Sequence, residues 1–453
     1  MNCFDERGEE GFRGPHALMF MNCTNITLAG YTIRDSANWA HAIFHCKDVK
    51  VRNVKVYGGH DAFDFHDSEN VDVASCEFRT GDDCVAGFAN RHCTIRDCVL
   101  DTSCQAVRIG GNDILFERCR LVSPASFGHR WGLSDEEKRL AINAGEHIRH
   151  GAAVGIIYYC DARWKIDRPQ RDIVFRDCVF DDPNRIFSLS YDGRNMWCCR
   201  HPLETIEFDR CTFNGVKKPI SIYGDGEKPL EFTMRGCIVR AKEGCGAEPV
   251  LTAYNFKRVT IADTTFEGFD SPHLVVRSEG EVCVSGGTEL RRELRPDPND
   301  KTLTFAECLA EAEKLPRDDA VWKAWCESIP TPPESRWNEE KGLYVSVKDP
   351  KNVDVWSSAL AMLRGDTPHA DSIAKNFCTW YQYYVGWGRT GAVKQDATWT
   401  SEISPMPAGP FGYAMAQFDP LFARTFFTDF LRREDKPPAA VAGVRAALKR
   451  LIE

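Results

Sequence analysis

Asp61, Asp64, Asp82 and Asp83 stand in one short segment, HDAFDFHDSENVDVASCEFRTGDDC (residues 60–84), with His60 and His66 among them. Strands are normally poor in Asp, yet Phe63, Phe65, Val71 and Val73 alternate with polar residues as a half-buried strand does. Carboxyl groups crowded together keep one of their number protonated more readily than an isolated one. Such an acid can protonate a glycosidic oxygen while an ionised neighbour activates water. Two other roles fit the same residues. An Asp-rich ladder offers the oxygen ligands that Ca²⁺ prefers, and a single Asp at a coil corner often only hydrogen-bonds the turn. The residue types alone leave all three open.

A repeat must position these acids. Asp61, Asp83 and Gln105 are 22 residues apart, as are Phe63, Val85 and Val107, and Asp64, Ala86 and Arg108. Backwards by the same step, Asp61 meets Trp39, Asp64 meets Ala42 and Phe65 meets Ile43. Each coil continues through a second strand (NVDVAS, HCTIRD, DILFER) and a third (CEFRT, CVLDT, CRLVS). A fixed period of this length with strand character predicts a solenoid, here a parallel β-helix of about ten coils over residues 17–295. Rungs about 4.8 Å apart would bring Asp61 against Asp83, with Asp82 beside it.

Cysteine marks the same period. Cys76, Cys98, Cys119, Cys178, Cys211 and Cys237 recur at intervals of 22, 21, 59, 33 and 26, and Thr264 follows after 27. The interval of 59 must hold an extra turn or an insertion. No CxxC occurs among the 20 cysteines, so they read as small buried apolar residues rather than metal ligands. The segment 124–150 reads as an inserted loop with a short helix capped by Ser134. Residues 296–336 read as a linker with short helices, and 337–453 as a mainly helical extension covering the solenoid edge.

Composition excludes several classes. A net charge of −9 leaves no basic footprint for nucleic acid. No apolar run reaches the length of a membrane span. The N-terminal MNCFDERGEEGFRGP is acidic and lacks the apolar region of a signal peptide. The expectation is a cytoplasmic chain, or a secreted one whose leader has been removed. No cofactor and no metal are expected.

RGPHALMFMNCTNITLAGYTIRDSANWAHAIFHCKDVKVRNVKV followed by HDAFDFHDSENVDVASCEFRTGDDCVAGF resembles the polygalacturonase family of inverting glycoside hydrolases, family 28. That family carries Asn-Thr-Asp-Gly, then Gly-Asp-Asp one coil later, then Gly-His-Gly, then Arg-Ile-Lys. Gly59-His60-Asp61-Ala62 stands at the first motif and Gly81-Asp82-Asp83 at the second. The resemblance covers about residues 16–123 and extends as architecture to about 295. It implies an all-β, right-handed parallel β-helix of the pectin-lyase kind. It also implies an inverting glycosidase acting on an α-linked sugar of a polysaccharide or oligosaccharide. Asp82 would be the general acid, and Asp61 and Asp83 would hold and deprotonate water.

Two motifs depart from the family. Cys104-Gln105-Ala106 replaces Gly-His-Gly, and the strand AAVGIIYY carries no Arg-Ile-Lys, the pair expected to grip a uronate carboxylate. Arg108 projects from the same face as a substitute cation, with a surface salt bridge to Asp64 as its bland alternative. His147, Arg149 and His150 precede the next strand. His60 shares its rung position with Asp82 and is placed to contact substrate. Asp64 is either structural or a sugar ligand, and His66 structural. Trp39, Trp131, Tyr158, Tyr159 and Trp164 are candidates for stacking on sugar rings. Two other functions fit these departures: a β-helix lyase or epimerase with Arg108 as its base, and a carbohydrate-binding solenoid without activity.

Overall fold

Short strands of three to seven residues, and two longer ones at Val85–Arg96 and Gln105–Glu117, turned at corners by residues in the left-handed region, build the chain from Leu18 onward in a computed structural model. The structure describes residues 14–122, 127, 154–160, 166, 168–190, 201–295, 305–320, 322–323, 335–339, 343–346, single positions between 412 and 431, and 438–452. One compact unit ends at Arg295, and most of a second is drawn from the residues that follow.

The first unit is a parallel β-solenoid of about ten turns. One coil shows the design. Its strands are Phe63–His66, Glu69–Ala74 and Glu77–Thr80. Asp67 (φ 46°) and Ser75 (φ 55°) turn the corners between them. Asp and Asn recur at such corners because their short side chains tolerate left-handed backbone and bond locally. Part of the acid excess in residues 60–84 therefore belongs to turns.

Register follows the 22-residue step. His41, Phe63, Val85 and Val107 are paired in succession, as are Ala42, Asp64, Ala86 and Arg108. The first column points into the core, where Phe63 stacks on Phe78 across the coil. Farther along, Phe175 lies between Phe116 (4.6 Å) and Phe208 (5.3 Å) in a parallel stack.

The cysteines form the expected file. Cys76, Cys98, Cys119, Cys178, Cys211 and Cys237 are buried free thiols. Their sulfurs accept N–H groups of the preceding rung, as at Cys76 N to Cys98 Sγ and Cys119 N to Cys178 Sγ, both 3.4 Å. Thr264 and Thr288 continue the file with hydroxyls. The 59-residue interval contains no additional rung. Strand Arg120–Val122 pairs directly with Val179–Asp181, so among the described residues one coil, with strand Val154–Tyr158, spans the interval.

In the second unit, helix α1 (Phe305–Glu313) and helix α2 (Pro438–Ile452) bury Cys308 and Ala312, and Val444, Ala447 and Leu448. Arg445 pairs with Glu311 at 3.0 Å. Strands Ser335–Asn338 and Leu343–Ser346 form an antiparallel hairpin, so the start of the expected helical extension is extended chain. Its other expected helices, VWSSALAMLRG and ADSIAKNFCTWYQYYV, lie outside the described residues, as does the helix expected within 124–150. No helix of the described residues is long and apolar enough to cross a membrane.

Candidate active site

Four successive rungs bring the opening acids to one corner. Trp39, Asp61, Asp83 and Gln105 occupy equivalent places, because each carbonyl accepts an N–H from the rung before. The donors are Ala17 (3.3 Å), Ala40 (2.9 Å), Ala62 (3.0 Å) and Cys84 (3.2 Å). His60, Asp82 and Cys104 precede the last three by one residue. His60, Asp61, Asp64, Asp82 and Asp83 are all buried.

The backbone at this corner is pinned by side chains. Thr80 and Thr102, one rung apart, both donate their hydroxyls to the Asp82 carbonyl at 2.5 Å. The Thr102 hydroxyl also accepts the Cys104 N–H at 2.9 Å. One rung below, His41 donates Nδ1–H to the carbonyl of Ala62, the residue after Asp61, at 2.8 Å. Its Nε2 accepts the Tyr31 hydroxyl at 2.7 Å, an arrangement that requires neutral imidazole. Burial holds the His41 pKa down at about 4.

Arg108 is the site's cation among the described residues. Its guanidinium pairs with Asp83 through Nε and with Asp61 through Nη2 at 3.5 Å, and its side chain is only 12% exposed. The guanidinium carbon lies over the ring of Tyr159, 4.6 Å from its centroid. Burial acts to lower the Arg108 pKa, but Asp83, Tyr159, Asp61 and Asp64 together push it above the usual arginine range, so it stays charged. Ala86 stands between Arg108 and Asp64 in their column and leaves room for the long side chain to fold back towards the acids. Arg108 is thus a buried cation and not a surface one.

Asp82, Asp83 and Cys104 bring ligating atoms within 4.8 Å of one another. Asp83 also accepts the Gln105 N–H at 3.3 Å, and the Cys104 thiol donates to Gln105 Oε1 at 2.8 Å. Burial and then Asp83 raise the Cys104 pKa well above that of an ordinary thiol. A metal here would have to displace the guanidinium from Asp83 and a proton from the thiol, so the donor set fits a cation poorly.

Aromatic rings flank the acids. His66 stacks on Phe44 (5.1 Å), Phe88 meets His66 at 4.7 Å, and Tyr159 meets Phe88 edge-on at 4.9 Å. Trp39, half-buried, lies 5.9 Å from His66. His66 is buried, and burial ahead of the nearby Arg108 charge lowers its pKa to about 3. One expectation is corrected. Tyr158 is in register with Ile109, points into the core and donates its hydroxyl to the His201 carbonyl, so it offers no ring to a sugar. Asp64 is as buried as Asp61 and Asp83 and lies 3.9 Å from His66 Nε2. Trp131, His147, Arg149, His150 and Trp164 lie outside the described residues.

The model of glycosyl hydrolases family 28 matches residues 3–103. The chain is similar to glycosyl hydrolases of family 28. A probable polygalacturonase of Arabidopsis thaliana is 34% identical over 92 residues, which are 18% of this chain and 20% of that protein. The chain thus spans about a fifth of the curated relative it matches. A family 28 exopolygalacturonase of Yersinia enterocolitica is a solved structure with 15% identity and a TM-score of 0.38. That match covers 61% of this chain and 46% of the other. The family 28 span holds Asp61, Asp82 and Asp83 and closes just before Gln105 and Arg108, where the motif departures begin.

Thr80, Thr102 and His41 were not legible as site residues. The 22-residue step between the two threonines was a usable signal. His41 also left one, as a histidine in a column otherwise filled by Phe63, Val85 and Val107.

Proposed function

We propose that the chain is a glycoside hydrolase that cleaves an α-linked sugar of a pectin-like or related polysaccharide or oligosaccharide with inversion. The observation that carries it is the corner at which Asp61, Asp82 and Asp83, from two adjacent rungs, lie inside the segment similar to family 28. Asp82 serves as general acid, its backbone fixed by two threonine hydroxyls. Asp61, one rung away, serves as the base, and Asp83, paired with the same guanidinium, orients the water. A lyase base on Arg108 would have to be a neutral guanidine, and the paired, charged group argues against that role.

One observation favours a second reading, a carbohydrate-binding solenoid: the guanidinium already occupies both carboxylates assigned to the water. Oligosaccharide turnover decides between the two. The hydrolase predicts released sugar that Asp82→Asn abolishes without moving the melting temperature. The binding protein predicts glycan affinity, no release, and indifference to that substitution.

A further inference from the structure

The geometry points to Arg108 as a positioning residue, the shared counter-ion that holds Asp61 and Asp83 together as carboxylates on adjacent rungs. The inference deepens the hydrolase reading and rests on it for its catalytic consequence, though not for its electrostatic content.

Asp61 and Asp83 stand one rung apart, and each side chain is 2% exposed. Two buried like charges at that spacing oppose each other, and one would take up a proton unless a cation intervened. Arg108 supplies the cation from the rung above Asp83. Its planar fork sets separate nitrogens against separate carboxylates, Nε against Asp83 and Nη2 against Asp61, which a point charge on a lysine does not reproduce. The Tyr159 ring packs against the guanidinium. Asp83 is held from a second side by the Gln105 N–H. The base and the water-orienting group are thus fixed by one side chain that need not touch the substrate.

Infrared difference spectroscopy of the full chain at neutral pH reads this directly. Arg108→Gln is expected to show one more protonated carboxylic-acid carbonyl band than the unsubstituted chain, whose general acid Asp82 contributes its own, and Asp83→Asn, added to Arg108→Gln, removes the extra band. A folded Arg108→Gln chain without that band overturns the proposal. Should Arg108→Gln fail to fold, Asp61→Asn/Arg108→Gln is expected to regain the fold, because it removes one of the opposed charges. A double variant that stays unfolded overturns the proposal. Kinetics supply the second arm. In Arg108→Gln, kcat should fall on the order of 100-fold, with KM within about threefold and the acid limb of the pH profile moved upward. Arg108→Lys should recover part of the loss. A rise confined to KM would instead make Arg108 a substrate ligand. Absence of any turnover in the unsubstituted chain sinks the hydrolase reading, while the infrared result still decides the counter-ion.

Discussion

At the scale of single residues, the acids of the 60–84 segment divide by backbone position. Asp67 turns a corner in the left-handed region, whereas Asp61, Asp82 and Asp83 sit where rungs stack and are held by specific partners. His41 holds the carbonyl of Ala62, next to Asp61, and makes the corner acid-sensitive. Its folded pKa of about 4 lies below the ordinary 6.5, so between those values the unfolded chain binds a proton that the folded chain refuses. Stability should fall as pH drops from about 6.5 to about 4, by about 3 kcal/mol from this residue, and level off below. His66, at about 3, extends the loss further down. Melting temperatures at pH 7 and pH 4 check this: His41→Gln should narrow the difference, and an equal drop in both chains would contradict it. The three acids were legible from type and spacing. The partner of Arg108 was not, because spacing fixes where a Cα lies and not how far a long side chain folds back across Ala86.

At the scale of strands and corners, close approach between rungs sets the tolerance. Gly87 has φ 150°, and a Cβ there would lie 1.7 Å from the Phe65 carbonyl oxygen. Asn90 locks the same corner, donating to that carbonyl at 2.7 Å and accepting the Ser68 N–H at 3.0 Å. Gly87→Ala should cost about 2–4 kcal/mol from backbone strain and overpacking. Gly244→Ala, left-handed but with nothing within 4 Å, should cost only about 1 kcal/mol. Urea titration ranks the two, and equal losses would contradict the account. The 22-residue register was readable because the first coils contain no insertion. It failed across residues 123–153, where an unknown number of residues carried no phase. Two consecutive tyrosines follow that gap, and Tyr158 was assigned to the site although alternation from Ile109 sends it inward and leaves Tyr159 beside Arg108.

At the scale of the whole solenoid, stability is shared among rungs that touch only their neighbours, through core ring stacks and the thiol and hydroxyl file. Phe175→Ala, in the middle of a three-ring stack, should cost about 3–5 kcal/mol in urea titration. A loss below about 1 kcal/mol would show that the rungs do not depend on that stack. The architecture serves the site by returning the same corner every 22 residues, which lets one chain segment contribute three acids to one place. The most direct test follows the first-formed sugar by proton NMR as the chain acts on α-linked galacturonate and neutral α-linked oligosaccharides. The account predicts a product of inverted anomeric configuration, and a rate reduced about 10²–10⁴-fold by Asp82→Asn with unchanged melting temperature. A retained anomer, an undiminished Asp82→Asn rate, or no turnover of either substrate class would contradict it.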